Sequence, residues 1–165
     1  MTQRTRNSAP TPIHTQVAAC RAGKEPRVIA RLESGWAVMG PAQFLPGYCL
    51  LLPDPVVGSL NDMAEPDRAA FLRDMTLLGD AVTKVVKPRR INYEMLGNLA
   101  PALHAHIIPR RTDEPKDLRT KAVWLYPDSA WSDPATTFNP KKPAHARLKR
   151  AIFYRKNIQV AFYSS

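Results

Sequence analysis

The stretch Pro101-Ala102-Leu103-His104-Ala105-His106-Ile107-Ile108-Pro109-Arg110 places two of the chain's four histidines in one apolar run. Successive side chains of a β-strand point to opposite faces. A strand from Leu103 to Ile108 therefore sets His104, His106 and Ile108 on one surface and turns Leu103, Ala105 and Ile107 into a core. Histidine is the side chain whose ordinary pKa lies near neutrality, so such a pair can supply a neutral nucleophile or base beside a donor that stabilises developing charge. The residues alone leave two readings open. One is a reactive pair acting on an anionic substrate; the other is two partly buried strand histidines, each satisfied by a hydrogen bond and doing no chemistry.

Upstream of this stretch, Val28-Ile29-Ala30 and Trp36-Ala37-Val38-Met39 flank Glu33-Ser34-Gly35, the pattern of two strands joined by a tight turn. Pro46-Gly47 gives a turn before a third strand, Tyr48 to Leu52, which Pro53-Asp54-Pro55 ends. From Asp67 to Val86 the apolar residues Phe71, Met75, Leu78, Val82 and Val85 recur at three- and four-residue steps, while Arg68, Arg73, Asp74, Asp80 and Lys84 fall elsewhere. This predicts one amphipathic helix, with Pro66 at its start and Pro88 at its stop. Ile91 to Leu96 and Leu103 to Ile108 read as two further strands separated by Gly97-Asn98-Leu99-Ala100-Pro101. A short helix is expected from Lys116 to Lys121, and Trp124-Leu125-Tyr126 is expected to cover an edge of the core. Ile152-Phe153-Tyr154 and Val160-Ala161-Phe162-Tyr163 have strand propensity with no evident partner.

With 165 residues and 44% hydrophobic composition, the chain suits one compact domain. No run of 18 apolar residues and no hydrophobic signal region is visible, which predicts a cytoplasmic protein that does not enter the membrane. Cys20 and Cys49 read as buried small residues rather than a disulfide. The net charge of +10 is unevenly placed. Between Ile13 and Phe138 lie all 14 acidic residues and 15 of the 24 basic ones. The ends carry the excess, with Arg4 and Arg6 at one and Lys141, Lys142, Arg147, Lys149, Arg150, Arg155 and Lys156 at the other. The expected organisation is a leader (1–12) with the composition of disorder, a domain (13–138) and a basic C-terminal extension (139–165). Such an extension can bind nucleic acid through counterion release or be a solvated charge run, and the second reading is preferred because no binding motif accompanies it.

A metal site is not expected. His104 and His106 lack a second close ligand pair of the CxxC or HxxxH kind, and Val17 stands where a partner for Cys20 would be. Arg110 and Arg111 beside the histidine strand favour a phosphate-bearing ligand, with a solvated surface pair as the alternative.

The stretch from Ile91 to Arg110, together with Gly35-Trp36-Ala37-Val38, Phe44-Leu45-Pro46-Gly47-Tyr48, Leu52-Pro53 and Ser59-Leu60-Asn61-Asp62, resembles the histidine triad (HIT) superfamily of nucleotide hydrolases and transferases, in particular its bacterial members that are similar to diadenosine polyphosphate hydrolases. The resemblance covers roughly residues 20–111. It implies an α+β fold, an antiparallel sheet of about five strands with one long helix packed across it, and a homodimer. It implies that His104 is a nucleophile attacking the α-phosphorus of a nucleotide conjugate to give a covalent nucleotidyl-histidine, with His106 as a donor to the phosphate. Asn98, its neighbour Gly97 and Asn92 are implied as substrate-binding residues. No cofactor is implied.

The departures from the family pattern are specific. Ala102 occupies the first histidine position. In zinc-bearing relatives that histidine joins two cysteines, whose positions here read Val17 and Cys20, so the resemblance implies a zinc-free variant. Leu99 sits where some members carry a serine that assists the leaving group, and Gly40 where a ribose-binding side chain would stand. The resemblance therefore implies a nucleotide phosphohydrolase or nucleotidyl transferase. The alternatives are a nucleotide-binding module without catalysis and a nucleic-acid-associated protein acting through residues 139–165.

Overall fold

The computed structural model describes residues 10–163. Its centre is an antiparallel five-stranded sheet of β1 (Val28–Arg31), β2 (Gly35–Met39), β3 (Cys49–Pro53), β4 (Arg90–Glu94) and β5 (Ala105–Arg110), in the order β1-β2-β3-β5-β4. The architecture is the expected α+β one, with β1 and β4 as edges and the histidine strand β5 between β3 and β4. Residues paired across antiparallel strands share a face. Cys49 opposite Ile107 and Tyr93 opposite Ile107 therefore define one side, and Leu50 and Glu94 opposite His106 define the other.

Two apolar clusters follow this alternation. On one face Met39, Leu51, Ala105 and Ile107 pack with Phe71, Leu78 and Val82 of α2 (Glu65–Val86). On the other, Val38, Leu50, Leu52 and Ile108 pack with Ile13, Val17 and Cys20 of α1 (Pro12–Arg21). Both cysteines are free and buried, one in each cluster. Burial pushes the Cys20 thiol up to about 11, which keeps it uncharged at neutral pH.

Helix α2 has Pro66 in its first turn, where the missing N–H costs nothing, and ends at Lys87 in the left-handed conformation with φ 50°. Asp74 departs from its expected place on the polar side. It is buried, and its Oδ2 accepts from both the backbone N–H and the hydroxyl of Ser34, each at 2.7 Å, tying the helix to the β1–β2 turn. Replacing Asp74 by alanine strands two donors in a half-buried turn. The expected loss is about 1–3 kcal/mol of unfolding free energy, read from the urea midpoint; an unchanged midpoint would discard this tie. Gly79, in the middle of α2, admits the Tyr93 ring from β4: a Cβ there would lie 2.0 Å from the Tyr93 hydroxyl.

Three expectations are corrected. Helix α1 precedes the first strand and begins at Pro12, where a leader was expected; residues 1–9 of that leader lie outside the described residues. Its amphipathic signal is short, and only Ile13, Val17 and Cys20 are buried. The Lys116 to Lys121 segment is turns rather than helix, and is followed by short helical turns α3 (Val123–Leu125) and α4 (Asp128–Ser132). The aromatic runs 152–154 and 160–163 belong to a helix, α5 (Pro143–Tyr163), not to strands. Strand propensity loses here because Leu148, Ala151 and Ile152 fall on one helical stripe and bury it in the cluster with α2. His145 Nε2 donates to the Val28 carbonyl at 2.8 Å, fixing α5 beside edge strand β1. Among the described residues no helix is long and apolar enough to cross a membrane.

Candidate functional site

Strand β5 begins at Ala105, so His104 sits at its mouth and His106 within it. Both rings are buried, 6% and 7% exposed, with centroids 4.7 Å apart and planes at 72°. His104 Nδ1 donates to the Ala102 carbonyl at 2.8 Å. In the neutral ring this leaves Nε2 with its lone pair, the form a nucleophile needs.

His106 Nδ1 lies 2.7 Å from the Tyr48 hydroxyl. Tyr48 is 5% exposed, and among the described residues its hydroxyl has no other partner. Burial raises the phenol's pKa, so the group remains O–H. An O–H that only accepted would leave its own proton unsatisfied in the core. Tyr48 therefore donates to Nδ1, and the His106 proton is placed on Nε2. Burial, with a smaller contribution from His104, lowers the His106 pKa to about 4, so it is a neutral N–H donor at neutral pH.

Gly40 is what gives Tyr48 its place. A Cβ at residue 40 would lie 2.1 Å from the Tyr48 ring, so the tyrosine occupies the space of a side chain at that position.

Trp124 packs edge-on to His106, centroids 4.9 Å apart, and stacks on Trp131 at 5.2 Å with planes 4° apart. Its indole N–H donates to the Glu94 carboxylate. The expectation that this segment covers an edge of the core becomes more specific: Trp124 packs against His106. A cavity of about 300 Å³ opens between Trp124, His104, His106, Asn98, Leu96 and Leu99. A second, of about 330 Å³, shares His104 and Leu96 with the first and includes Gly97, Ser59 and Asn61. The structure thus places Asn98 with both histidines around the first cavity and Gly97 with His104 around the second. Asn92 is placed differently. It stands opposite Ile108 on the same sheet face as Glu94, and lines neither cavity.

Arg110 and Arg111 also depart from expectation. Arg110 is 5% exposed, and its Nε and Nη2 donate to the Glu114 carboxylate at 2.8–3.1 Å. It donates further to the carbonyls of Lys121 at 2.7 Å and Leu118 at 3.1 Å. Arg111 pairs with Asp113. Neither lines a cavity beside the histidines. Arg110 instead holds the turn segment that delivers Trp124. Burial opposes ionisation of Glu114, but hydrogen bonds from Arg110 and Tyr126 and the Arg111 backbone N–H keep its carboxyl below the usual range.

Sequence reasoning missed Tyr48, Glu94 and Trp131. Their roles depend on strand register and on a long turn segment, neither of which leaves a local pattern. Val17, Cys20 and Ala102, the positions that the resemblance implies for a zinc site, all lie in one apolar cluster between α1 and the sheet. Valine and alanine offer no donor, so these residues do not fit zinc. Among the described residues no group of three or more His, Cys, Asp or Glu side chains is placed to hold a metal.

In comparisons with known proteins, no curated protein matches the chain. The histidine triad protein blr8122 from Bradyrhizobium japonicum shares 26% identity and a TM-score of 0.57, covering 76% of this chain and 89% of its own. A histidine triad protein from Marinobacter aquaeolei VT8 has the same fold at 16% identity and a TM-score of 0.66, over 88% and 98% of the two chains. So does a Zn-bound histidine triad family protein from Mycobacterium smegmatis, at 13% identity and a TM-score of 0.59, over 88% and 99%. The HIT domain profile matches residues 24–113, more than half of the chain and the span that carries both histidines, so the chain belongs to the HIT domain family.

Proposed function

We propose that this protein hydrolyses or transfers the nucleoside monophosphate part of a nucleotide conjugate, of the dinucleoside polyphosphate or nucleoside phosphoramidate type. The observation that carries this reading is the complementary state of the two rings: His104 presents a lone pair at Nε2, and His106 presents an N–H. His104 Nε2 attacks the α-phosphorus, a phosphorus–nitrogen bond forms, and the bond from phosphorus to the leaving group breaks. The His106 N–H donates to the phosphoryl group as charge grows on it. Asn98, in the cavity lined by both histidines, and Gly97, in the one lined by His104, bind the nucleotide. Water then attacks the phosphorus, the bond to His104 breaks, and the nucleoside monophosphate leaves. No lysine or arginine lines either cavity, so neutral donors provide the compensation for phosphate charge. The family's usual homodimer and a cytoplasmic location are part of this proposal.

The test is turnover of a panel of dinucleoside polyphosphates and nucleoside phosphoramidates by the wild type and Tyr48→Phe. Loss of the phenol frees His106 to hold its proton on either nitrogen, and kcat is expected to fall on the order of 10-fold or more, with KM little changed. His106 gives a second readout. A basic group whose pKa drops from 6.5 to about 4 on folding takes up its proton more readily when unfolded, so it removes stability as pH falls from 6.5 through 4. That loss should shrink in His106→Gln. Tight nucleotide binding with no turnover of any panel member would replace this reading by a binding module.

A further inference from the structure

The face of α5 turned away from the core carries its own site. A groove of about 640 Å³ runs between α5 and edge strand β1. Ile29 and Ile152 form its floor, and Lys149, Arg150, Phe153 and Tyr154 rim it. Phe153 and Tyr154 are 64% and 61% exposed, with ring centroids 6.2 Å apart and planes at 74°. Large aromatic side chains in water beside cations are uneconomical unless something covers them. Arg31 also lines the groove, but its guanidinium donates to the Gly35 carbonyl and lies 5.4 Å over the Trp36 ring.

We propose that this groove binds single-stranded nucleic acid, with Lys149 and Arg150 on its phosphates and Phe153 and Tyr154 as stacking faces for its bases. Residues 139–165 contain seven basic residues and no acidic one, so an anionic occupant is favoured by charge. An anionic membrane fits less well, because Leu148, Ala151 and Ile152 are already committed to the core and cannot enter a bilayer. The chain's own N-terminal residues 1–9 carry Arg4 and Arg6 without an acid, so charge does not draw them here. Aromatic faces flanked by cations match the stacking and backbone contacts of single strands, which tolerate any base sequence. The floor belongs to the α2 side of the sheet, opposite the histidines, so this binding is independent of nucleotide turnover.

The experiment is fluorescence anisotropy of the full chain with a labelled oligothymidylate in low salt, beside polyglutamate and phosphatidylserine vesicles. Oligothymidylate is expected to bind, with a logarithmic salt slope that becomes shallower by about 1.4 in the Lys149→Glu, Arg150→Glu double variant, which removes two phosphate contacts. Phe153→Ala with Tyr154→Ala should weaken binding about 10-fold or more, with unchanged circular dichroism and turnover. No oligonucleotide binding, equal binding of polyglutamate, or binding of vesicles alone would overturn the proposal. So would oligonucleotide binding that all four substitutions leave intact.

Discussion

Replacing His104 by alanine is expected to reduce turnover of the best nucleotide conjugate on the order of 10⁴-fold or more, the scale at which enzymes lose rate when their nucleophile is removed. The protein should remain folded. The side chain removed is buried, but its only hydrogen bond among the described residues is to the Ala102 carbonyl, at the edge of two existing cavities. Nucleotide affinity should therefore survive, since Asn98, Gly97 and His106 are still in place. His104→Gly makes the sharper variant, because the side chain removed lines both cavities and the space it leaves can admit free imidazole. Added imidazole should restore part of the turnover in His104→Gly and none in a His104→Gln variant, whose side chain fills the gap. Full activity in His104→Ala, measured by release of nucleoside monophosphate, would remove His104 from the reaction.

The second large effect is on stability. Arg110→Ala leaves the Glu114 carboxylate buried without its bidentate partner and frees the carbonyls of Leu118 and Lys121. Breaking a buried pair from one side costs about 3–5 kcal/mol, which should appear as a lowered urea midpoint. Removing both charges in Arg110→Met, Glu114→Leu should recover much of it, since the cost lies in the orphaned charge more than in the lost attraction. The single variant also loosens the segment carrying Trp124. Turnover should fall with stability, and the Trp124 fluorescence should shift toward that of an indole in water. A loss below 1 kcal/mol would mean that the pair is not closed in solution.

These two residues also show how far the sequence could be read. The alternation across residues 103–108 correctly separates Leu103, Ala105 and Ile107 from His106 and Ile108, because period-2 patterning reports the two faces of a strand directly. The α2 periodicity, the β1–β2 turn at Glu33-Ser34 and the α+β class were legible for the same local reason. Arg110 was not. Its adjacency to Arg111 suggested a phosphate clamp, while its partner four residues on lies in a turn, where no periodicity announces an internal pair. Asp74 was hidden differently: a charged residue inside an amphipathic pattern is read as solvent-facing, and only the hairpin docking against α2 gives it two donors. Tyr48 required register. Nothing local to Pro46-Gly47-Tyr48 says that Leu50 pairs with His106 and brings the phenol to its ring. The terminal aromatic runs were read by β propensity, which packing against α2 and β1 overrode in favour of a helix.

The central claim is that His104 forms a covalent bond to the phosphorus of its substrate, and it can be tested at the level of that bond. The protein should be mixed with a nucleotide conjugate labelled in its phosphate, quenched at short times under alkaline conditions that preserve phosphorus–nitrogen bonds, and mapped by peptide mass spectrometry. The account predicts a nucleoside monophosphate adduct on His104, in the peptide that also contains His106, appearing within one turnover and absent from His104→Ala. Turnover that proceeds with no adduct, or an adduct carried by His106 alone, would contradict it.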